Sequence, residues 1–236
     1  MNERQAKLLC AIIDQFIETA MPVGSKELLA RHGSFLLSGA TVRNEMRFLG
    51  EEGYLEQPHV SAGRVPTAKG YKVYVHEFME PSKQERAVRA KFLSLKEQYF
   101  RRKDQERVEE AVMLLSHMIP NVVFATVPHK SRVSYLGLAS ILRQPEFQAN
   151  PALAMGVVEV VEDKLSDLLE AVDIDKNIRS YIGGEHLLPQ LQSCSMMVTG
   201  FSLRGEPGAI GILGPMRMDY AYNTVALEMA ADLLRS

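Results

Sequence analysis

Two arginines and an asparagine, Arg43, Asn44 and Arg47, are the residues of this sequence best suited to bind a ligand by their type and spacing. Arginine and asparagine side chains can each form a pair of hydrogen bonds to the edge of one base in the major groove of DNA. At about 100° per residue of helix they fall on the side opposite Val42, with which the apolar Met46 and Leu49 share a face, and Thr41 lies at the edge of the polar side. An ordinary solvated helix face would show the same residues, so the interpretation depends on the elements around them.

The elements around this helix favour DNA recognition. Ser38 is a good N-cap, because its side-chain oxygen can accept from the free amides of the first turn, and Gly53 stands where a C′ glycine closes a helix. Helical patterns over residues 3–20 and 25–31 precede it, and a hairpin pattern over 56–65 follows. Helices followed by a hairpin predict a winged helix-turn-helix whose third helix enters the major groove.

Phosphate contacts are predicted on both sides of that helix. Ser25, interpreted as the N-cap of the second helix, and Lys26 combine free amides with a cation, although plain solvent exposure explains Lys26 equally well. Arg64 and Lys69 follow in a stretch without acidic residues, and His59 flanks the hairpin turn, where an exposed loop histidine is the simpler reading. The candidate DNA-binding residues are therefore Ser25, Lys26, Ser38, Thr41, Arg43, Asn44, Arg47, His59, Arg64 and Lys69.

Composition and charge agree with a globular DNA-binding protein. Of 236 residues, 46% are hydrophobic and 24% charged, and no apolar run approaches the roughly 20 residues that span a bilayer. Residues 1–107 hold 18 Lys/Arg against 14 Asp/Glu, whereas residues 108–236 hold 9 against 15. This split favours a nucleic-acid-binding half joined to an acidic half. The charged start of the chain lacks the apolar stretch of a signal peptide, which predicts a cytoplasmic protein without a membrane partner.

Motifs for catalysis or metal binding are missing from the sequence. It has no glycine-rich dinucleotide or phosphate loop, no His-Glu-x-x-His pair and no Gly-x-Ser-x-Gly elbow. Cys10 and Cys194 are isolated, which predicts buried thiols in a reducing compartment. The sequence therefore predicts neither an enzyme nor a cofactor or metal site.

Residues 81–107 form a highly charged helical pattern. Val88, Phe92, Leu95 and Tyr99 recur at spacings of four, three and four along it. This narrow apolar seam predicts a helical linker that serves as a connector or pairs with a second copy of itself.

Residues 108–236 mix helical and strand patterns. Helices are predicted over 108–118, 151–172 and 219–234, and strands over 121–128, 179–183, 194–203 and 208–215. Strands flanked by helices predict a small antiparallel sheet with helices packed against it. The predicted organisation is α+β, with a winged helix-turn-helix domain over 1–80, the charged helical linker over 81–107 and a regulatory or dimerisation domain over 108–236.

Three blocks of sequence resemble the family of the heat-inducible transcription repressor HrcA. They are PVGSKELL, LSGATVRNEMRFLGEEGYLEQPHVSAGRVPTAKGYKVYV and, near the end, GILGPMRMDY. The first two are close to the DNA-binding signature of that family and the third to the terminal motif of its GAF-like domain. Gly39 and Met216 depart from the commoner residues of the family. Between Pro128 and Tyr135 the family usually carries an inserted dimerising domain, so this chain resembles a compact member without it.

The resemblance implies a GAF-like second domain and a homodimeric repressor of chaperone genes. Such a repressor binds double-stranded DNA at an inverted-repeat operator, and its activity is supported by the GroE chaperonin. The best candidates for dimerisation are the seam over 83–107 and the outer helices of the second domain. An alternative is a regulator gated by a small ligand, since glycine-rich turns at 183–184 and 205–214 permit a pocket, although ordinary turns explain them equally.

Overall fold

The chain divides into two units, residues 1–79 and 80–236, in a computed structural model that describes residues 1–32, 38–99, 107–128, 132–185 and 188–235. No helix among these described residues is both long enough and apolar enough to cross a membrane. The two units confirm the predicted α+β class.

Over its described residues, the first unit consists of four helices and a two-stranded wing. The elements are α1 (Glu3–Thr19), α2 (Ser25–His32), α3 (Gly39–Glu51), β1 (Leu55–Glu56), β2 (Val65–Pro66) and α4 (Ala68–Val73), which continues as a π-helical turn over Tyr74–Phe78. Antiparallel pairing of β1 with β2 forms the base of the wing. This is the order of elements in a winged helix-turn-helix, as the sequence predicts.

Local side chains fix where these helices begin and end. Ser38 has extended backbone and accepts from the Thr41 amide, so its prediction as the N-cap of α3 is confirmed. Gly53 has a φ of 78°, which confirms the predicted left-handed end of α3. The N-cap prediction for Ser25 is wrong: it is the first residue of α2, and the carbonyl of Gly24 accepts the amide of Leu28. Helix formation therefore starts one residue earlier than the side-chain pattern indicates.

A five-stranded antiparallel sheet forms the centre of the second unit, in the order β4-β3-β7-β6-β5. Its strands are β3 (Val122–Val127), β4 (Arg132–Leu136), β5 (Arg179–Ile182), β6 (Cys194–Leu203) and β7 (Glu206–Pro215). The sequence prediction missed β4, which pairs along its whole length with β3. This strand is short and partly exposed, so its polar and apolar residues gave no signal strong enough to separate it from a loop.

A tight hairpin joins the two longest strands, β6 and β7. Leu203 pairs with Glu206, so Arg204 and Gly205 alone make the turn, whereas the sequence predicted a four-residue connection over 204–207. Both turn residues have positive φ, 55° and 86°. A two-residue turn of this kind matches the twist of paired strands, which explains why β7 begins two residues earlier than predicted, whereas β6 has its predicted bounds.

Helices cover both faces of the sheet. They are α5 (Ser82–Tyr99), α6 (Arg107–Met118), α7 (Leu138–Ile141), α8 (Pro145–Ala149), α9 (Pro151–Glu159), α10 (Leu165–Glu170) and α11 (Tyr220–Arg235). A π-helical turn, Val160–Lys164, joins α9 to α10, so the long helix predicted over 151–172 is present with one irregular turn. Cys194 is buried in the core, where burial raises the pKa of its thiol to about 12, but Cys10 is only partly buried, so the prediction holds fully for Cys194 alone.

The predicted linker is instead part of the second unit over the length of α5. Val88 and Phe92 are 0% and 2% exposed, because α5 packs against α6 and α11 of the same chain. Residues 100–106 of the predicted linker lie outside the described residues. These two seam residues are therefore used within one chain and are not available to pair with a second copy.

The positive charge of the first half of the chain is also located differently from the prediction. Residues 1–79 hold nine Lys/Arg and nine Asp/Glu, so the first unit is formally neutral and the excess comes from residues 80–107. An interface with DNA in the first unit must therefore depend on where its cations lie and not on a net positive charge.

Candidate nucleic-acid interface

The outward face of α3 carries the residues with the strongest predicted base-reading chemistry. Arg43, Asn44 and Arg47 are exposed, whereas Val42 and Leu49 are 1% and 0% exposed on the opposite side. Together with Met46, these buried residues form an inward apolar side and leave a polar side facing solvent. The predicted set on α3 is brought together by the structure on this side, which we call the α3 face (Ser38, Thr41, Arg43, Asn44 and Arg47).

The first turn of α3 is narrow and ordered by its cap. The Ser38 Oγ accepts the Thr41 amide at 3.1 Å and lies 3.0 Å from the Thr41 hydroxyl. Gly39 is half-buried against α2, since a Cβ there would lie 3.4 Å from a methyl carbon of Leu29. A slim, capped helix start of this kind can approach a groove closely and leaves hydroxyls and amides available for phosphate.

The cations of the α3 face are available to a ligand. Arg43 lies along the helix, with its Nη1 3.5 Å from the position of a Cβ on Gly39, and it has no ion pair among the described residues. Arg47 faces Glu51 at 3.7 Å, and both side chains are more than two-thirds exposed. Such a surface pair contributes at most about 1 kcal/mol, so a phosphate or a base can replace Glu51 at little cost.

The N-terminus of α2 supplies a second possible contact. Lys26 is exposed and has no ion pair in the described part of the chain, and Ser25 beside it is half-buried. The ammonium of Lys26 is thus available in the structure. This is compatible with both interpretations of the sequence, a phosphate contact and plain solvent exposure.

The tip of the wing is held in one shape by Gln57. Its Nε2 donates to the carbonyls of Val60 and Ala62, each at 2.9 Å, and the Ala62 amide donates to His59 at 2.8 Å. His59 is exposed, with its Nδ1 3.3 Å from the Ser61 hydroxyl, and Val60 is 98% exposed. The wing is therefore a preformed turn that presents an imidazole and an apolar side chain to solvent.

Arg64 lies at the base of the wing and not at its tip. Its amide and carbonyl exchange two hydrogen bonds of 2.9 Å with Val23, so the wing is attached to the connection between α1 and α2. Its guanidinium rests on α3, where Nη1 would be 3.3 Å from a Cβ on Gly50. The structure places Arg64 near the C-terminal half of α3.

Lys69 is engaged at the C-terminal end of α3. Its Nζ donates to the Glu52 carbonyl at 2.7 Å and lies 4.5 Å from the centre of the Tyr54 ring. A cation at this end of a helix satisfies a free carbonyl and interacts favourably with the helix dipole. The structure therefore separates Lys69 from the start of α3, where Ser38 lies.

We expect Lys69→Met to weaken the first unit slightly and to leave DNA affinity nearly unchanged. The loss of the C-terminal cation should lower the free energy of unfolding by about 0.3–1 kcal/mol. Chemical denaturation of the full chain, together with a DNA-binding isotherm, would measure both effects. Lys26→Met is the matched comparison, and Lys7→Met, which removes an exposed ammonium paired with Glu3, is the control. An affinity loss for Lys69→Met equal to that for Lys26→Met would instead place Lys69 on phosphate.

Sequence reasoning missed a set of contacts that joins α3 to α1. Glu45, on α3, accepts a hydrogen bond from the Gln5 side chain at 2.8 Å and forms an ion pair with Arg4. Its side chain is only 12% exposed. Partners about 40 positions apart give no local pattern in the sequence, so these contacts could not be predicted before the fold was known.

The second unit contains a groove of about 1260 Å³ at the hairpin end of the sheet. Its lining includes Leu169, Ile174, Phe201 and Pro207. Gly205, from one of the two predicted glycine-rich turns, also lines the groove, whereas residues 183–184 of the other turn do not. No group of three or more His, Cys, Asp or Glu residues that could hold a metal occurs within the described ranges.

Several proteins similar to this chain are described as the heat-inducible transcription repressor HrcA. The family described as HrcA protein C terminal domain matches residues 82–223. The heat-inducible transcription repressor HrcA of Desulforudis audaxviator is 28% identical over 329 aligned positions, which cover 97% of this chain and 95% of that protein. The HrcA of Moorella thermoacetica is 38% identical over 181 positions, covering 73% of this chain and 49% of that protein. A crystal structure of a hypothetical protein has the same fold, with a TM-score of 0.78 at 18% identity, and covers 100% of this chain and 96% of its own.

Proposed function

The chain belongs to the HrcA family of heat-inducible transcription repressors, and from that premise we propose that it represses chaperone genes by binding an inverted-repeat operator as a homodimer. The observation that carries the proposal is the α3 face. It combines a capped, narrow first turn with exposed Arg43, Asn44 and Arg47 on a helix whose other side is packed. These are the groups that read base edges in a major groove.

The remaining candidates have different roles in this proposal. Arg43 or Asn44 reads bases, and Thr41 and Arg47 lie in the same groove. Lys26, with Ser25 and Ser38 at the two helix starts, holds phosphates, and so does His59 at the wing tip. Arg64 and Lys69 were predicted on phosphates as well, and their contacts with Gly50 and Glu52 support an indirect role, in which they hold the end of α3.

A homodimer follows from the nature of the target. One helix discriminates poorly among genomic sites, whereas two copies related by two-fold symmetry read an inverted repeat with a fixed spacing. The alignment with the Desulforudis protein spans 329 positions against the 236 residues of this chain, so that relative carries many additional residues. The dimer must form without them. Because Val88 and Phe92 are buried within one chain, the dimer interface lies on surfaces of the second unit other than these two residues of the α5 seam.

Regulation by the GroE chaperonin is the further part of the proposal. A chaperonin that favours the folded, DNA-binding form in the cytoplasm raises its population, and competing unfolded clients on heat shock lower it. If operator occupancy in a reconstituted system did not respond to added chaperonin, this part would fail.

Fluorescence anisotropy with two labelled duplexes tests the proposal. One duplex carries an inverted-repeat chaperone operator, and the other carries the same half-sites with altered spacing, each at two salt concentrations. We expect tight binding to the first alone, with affinity falling steeply as salt increases. Equal and weak binding to both would contradict binding as a symmetric dimer, and no binding to either would contradict a DNA-binding role.

A second candidate function is regulation by a small ligand, which the groove in the second unit favours. Its volume exceeds the 300–1,000 Å³ common for ligand pockets, which indicates an open groove. Thermal stabilisation of the full chain by a metabolite, together with a change in operator affinity, would support this function. If no compound of a metabolite library stabilised the chain, the groove would be only a surface feature.

A further inference from the structure

Glu45 occupies an unusual position for an acidic residue on a DNA-facing helix. It lies between Asn44 and Arg47 in sequence, yet its side chain is turned inward and is only 12% exposed. An acidic group left free there would repel the phosphates of a bound duplex. Both of its oxygens are instead engaged by α1, Oε1 by the guanidinium of Arg4 and Oε2 by the Gln5 Nε2 at 2.8 Å.

Gln5 is itself held by the start of α1. The backbone amide of Gln5 donates to the Asn2 side chain at 2.9 Å, and the Gln5 Oε1 accepts the backbone amide of Asn2 at 2.9 Å. The two bonds make a complete capping box. Gln5 is 8% exposed. Its side-chain amide therefore has one orientation, with the oxygen directed to Asn2 and the nitrogen directed to Glu45.

We propose that Asn2, Arg4, Gln5 and Glu45 form a clamp that sets the rotation of α3 about its own axis and thereby aims Arg43, Asn44 and Arg47 at the DNA. Glu45 is thus a positioning residue, and this inference rests on the proposed function. Hydrophobic contacts of Met46 and Leu49 hold α3 against the core but tolerate small rotations. The two bonds of Glu45 lie at the middle of the helix and are directional, so they restrict that rotation. The restriction matters because a rotation of a few degrees displaces the tips of long side chains.

The clamp also explains why the acidic residue does not oppose DNA binding. Arg4 neutralises Glu45 within the protein, so the α3 face presents its cations without an unpaired carboxylate beside them. Removal of Arg4 alone would leave the charge of Glu45 in place near the phosphates. We therefore expect Arg4→Ala to weaken binding to every duplex, in addition to its effect on specificity.

The test compares the full chain with Glu45→Ala, Gln5→Ala, the double variant and Glu45→Gln. For each, the ratio of affinities for the operator and for a scrambled duplex is measured by anisotropy at a temperature at which circular dichroism shows full folding. We expect either alanine variant to lower the ratio about tenfold, and the double variant to be no worse than the worse single one, because they act as one unit. Glu45→Gln keeps an acceptor for Arg4 and should recover part of the ratio. Glu18→Ala is the matched control, since it removes another ion pair of α1, to Arg31 on α2, without touching α3.

Each outcome has a defined meaning. An unchanged ratio in both alanine variants overturns the clamp, even if their melting temperatures fall, because the bonds would then be only structural. Equal losses for Glu18→Ala and Glu45→Ala would likewise overturn it, since a general weakening of α1 would explain both. If the unaltered chain itself does not distinguish operator from scrambled DNA, the proposed function fails, and that failure is recognised before any variant is compared.

Discussion

Replacing Arg43 and Arg47 together by alanine is expected to weaken specific operator binding strongly while leaving the fold intact. Both side chains are exposed and neither contributes to the core, so the free energy of unfolding should change by less than about 0.5 kcal/mol. A bidentate contact with a base is worth about 1–3 kcal/mol, so the loss of two should weaken binding by roughly 30- to 10⁴-fold. Anisotropy titrations of the operator and of a scrambled duplex measure this directly.

The single variants distinguish base contacts from phosphate contacts. If Arg47 touches phosphate, Arg47→Ala should weaken binding to all duplexes evenly and reduce the salt dependence by about one unit of slope. If Arg43 reads a guanine, Arg43→Ala should relax specificity at one base pair. Arg31→Ala serves as the control, because Arg31 is an exposed arginine of the same unit whose charge is paired with Glu18 at 2.8 Å. Isotherms that are unchanged for both Arg43→Ala and Arg47→Ala would exclude α3 as the recognition helix.

The boundaries of α3 were predictable because their causes are local. The hydroxyl of Ser38 caps amides within three residues, and Gly53 adopts a conformation that other residues rarely accept. The wing was likewise predictable from its turn residues. Its attachment was not, because the bridge between Arg64 and Val23 joins residues about 40 positions apart. The same holds for the Glu45 contacts.

The contacts of polar residues are harder to predict from a sequence than the burial of apolar ones, for a physical reason. A buried side chain leaves a period in the sequence, whereas a cation near DNA and a cation on a helix end look identical there. Lys69 was predicted on phosphate, and the structure gives its ammonium a carbonyl and an aromatic ring. In α5 the apolar period was correctly seen, but the sequence could not show that the partner was α11 of the same chain. An apolar period in a sequence shows that one face of a helix is buried, but it does not show which element buries that face.

Gly63→Val is the second change with a large expected effect, and it acts on the attachment of the wing. A Cβ at Gly63 would lie 2.5 Å from the carbonyl carbon and oxygen of Val23 and 2.8 Å from the carbonyl carbon of Pro22. These are backbone atoms, which cannot rotate away as a side chain can. The added atoms would force the wing off the connection between α1 and α2 and break both hydrogen bonds between Val23 and Arg64.

The expected destabilisation follows from these two effects. Overpacking contributes about 1–3 kcal/mol and each lost backbone hydrogen bond about 1 kcal/mol, so the first unit should lose roughly 3–5 kcal/mol. Since whole domains are stable by only about 5–15 kcal/mol, partial unfolding near growth temperature is expected. Hydrogen exchange of the Val23 and Arg64 amides in the full chain would locate the loss. Gly24→Ala is the matched control, because no atom lies within 4 Å of a Cβ at that position.

Operator affinity then separates two consequences of the same substitution. If the wing only stabilises the unit, Gly63→Val should recover normal affinity at a temperature at which it is fully folded. If the wing also contacts DNA through His59 and the preformed turn held by Gln57, affinity should remain low in the folded variant, because the tip would be displaced. Protection of both amides equal to that of the unaltered chain would show that the backbone can relax around the clash, and the attachment would then not depend on glycine.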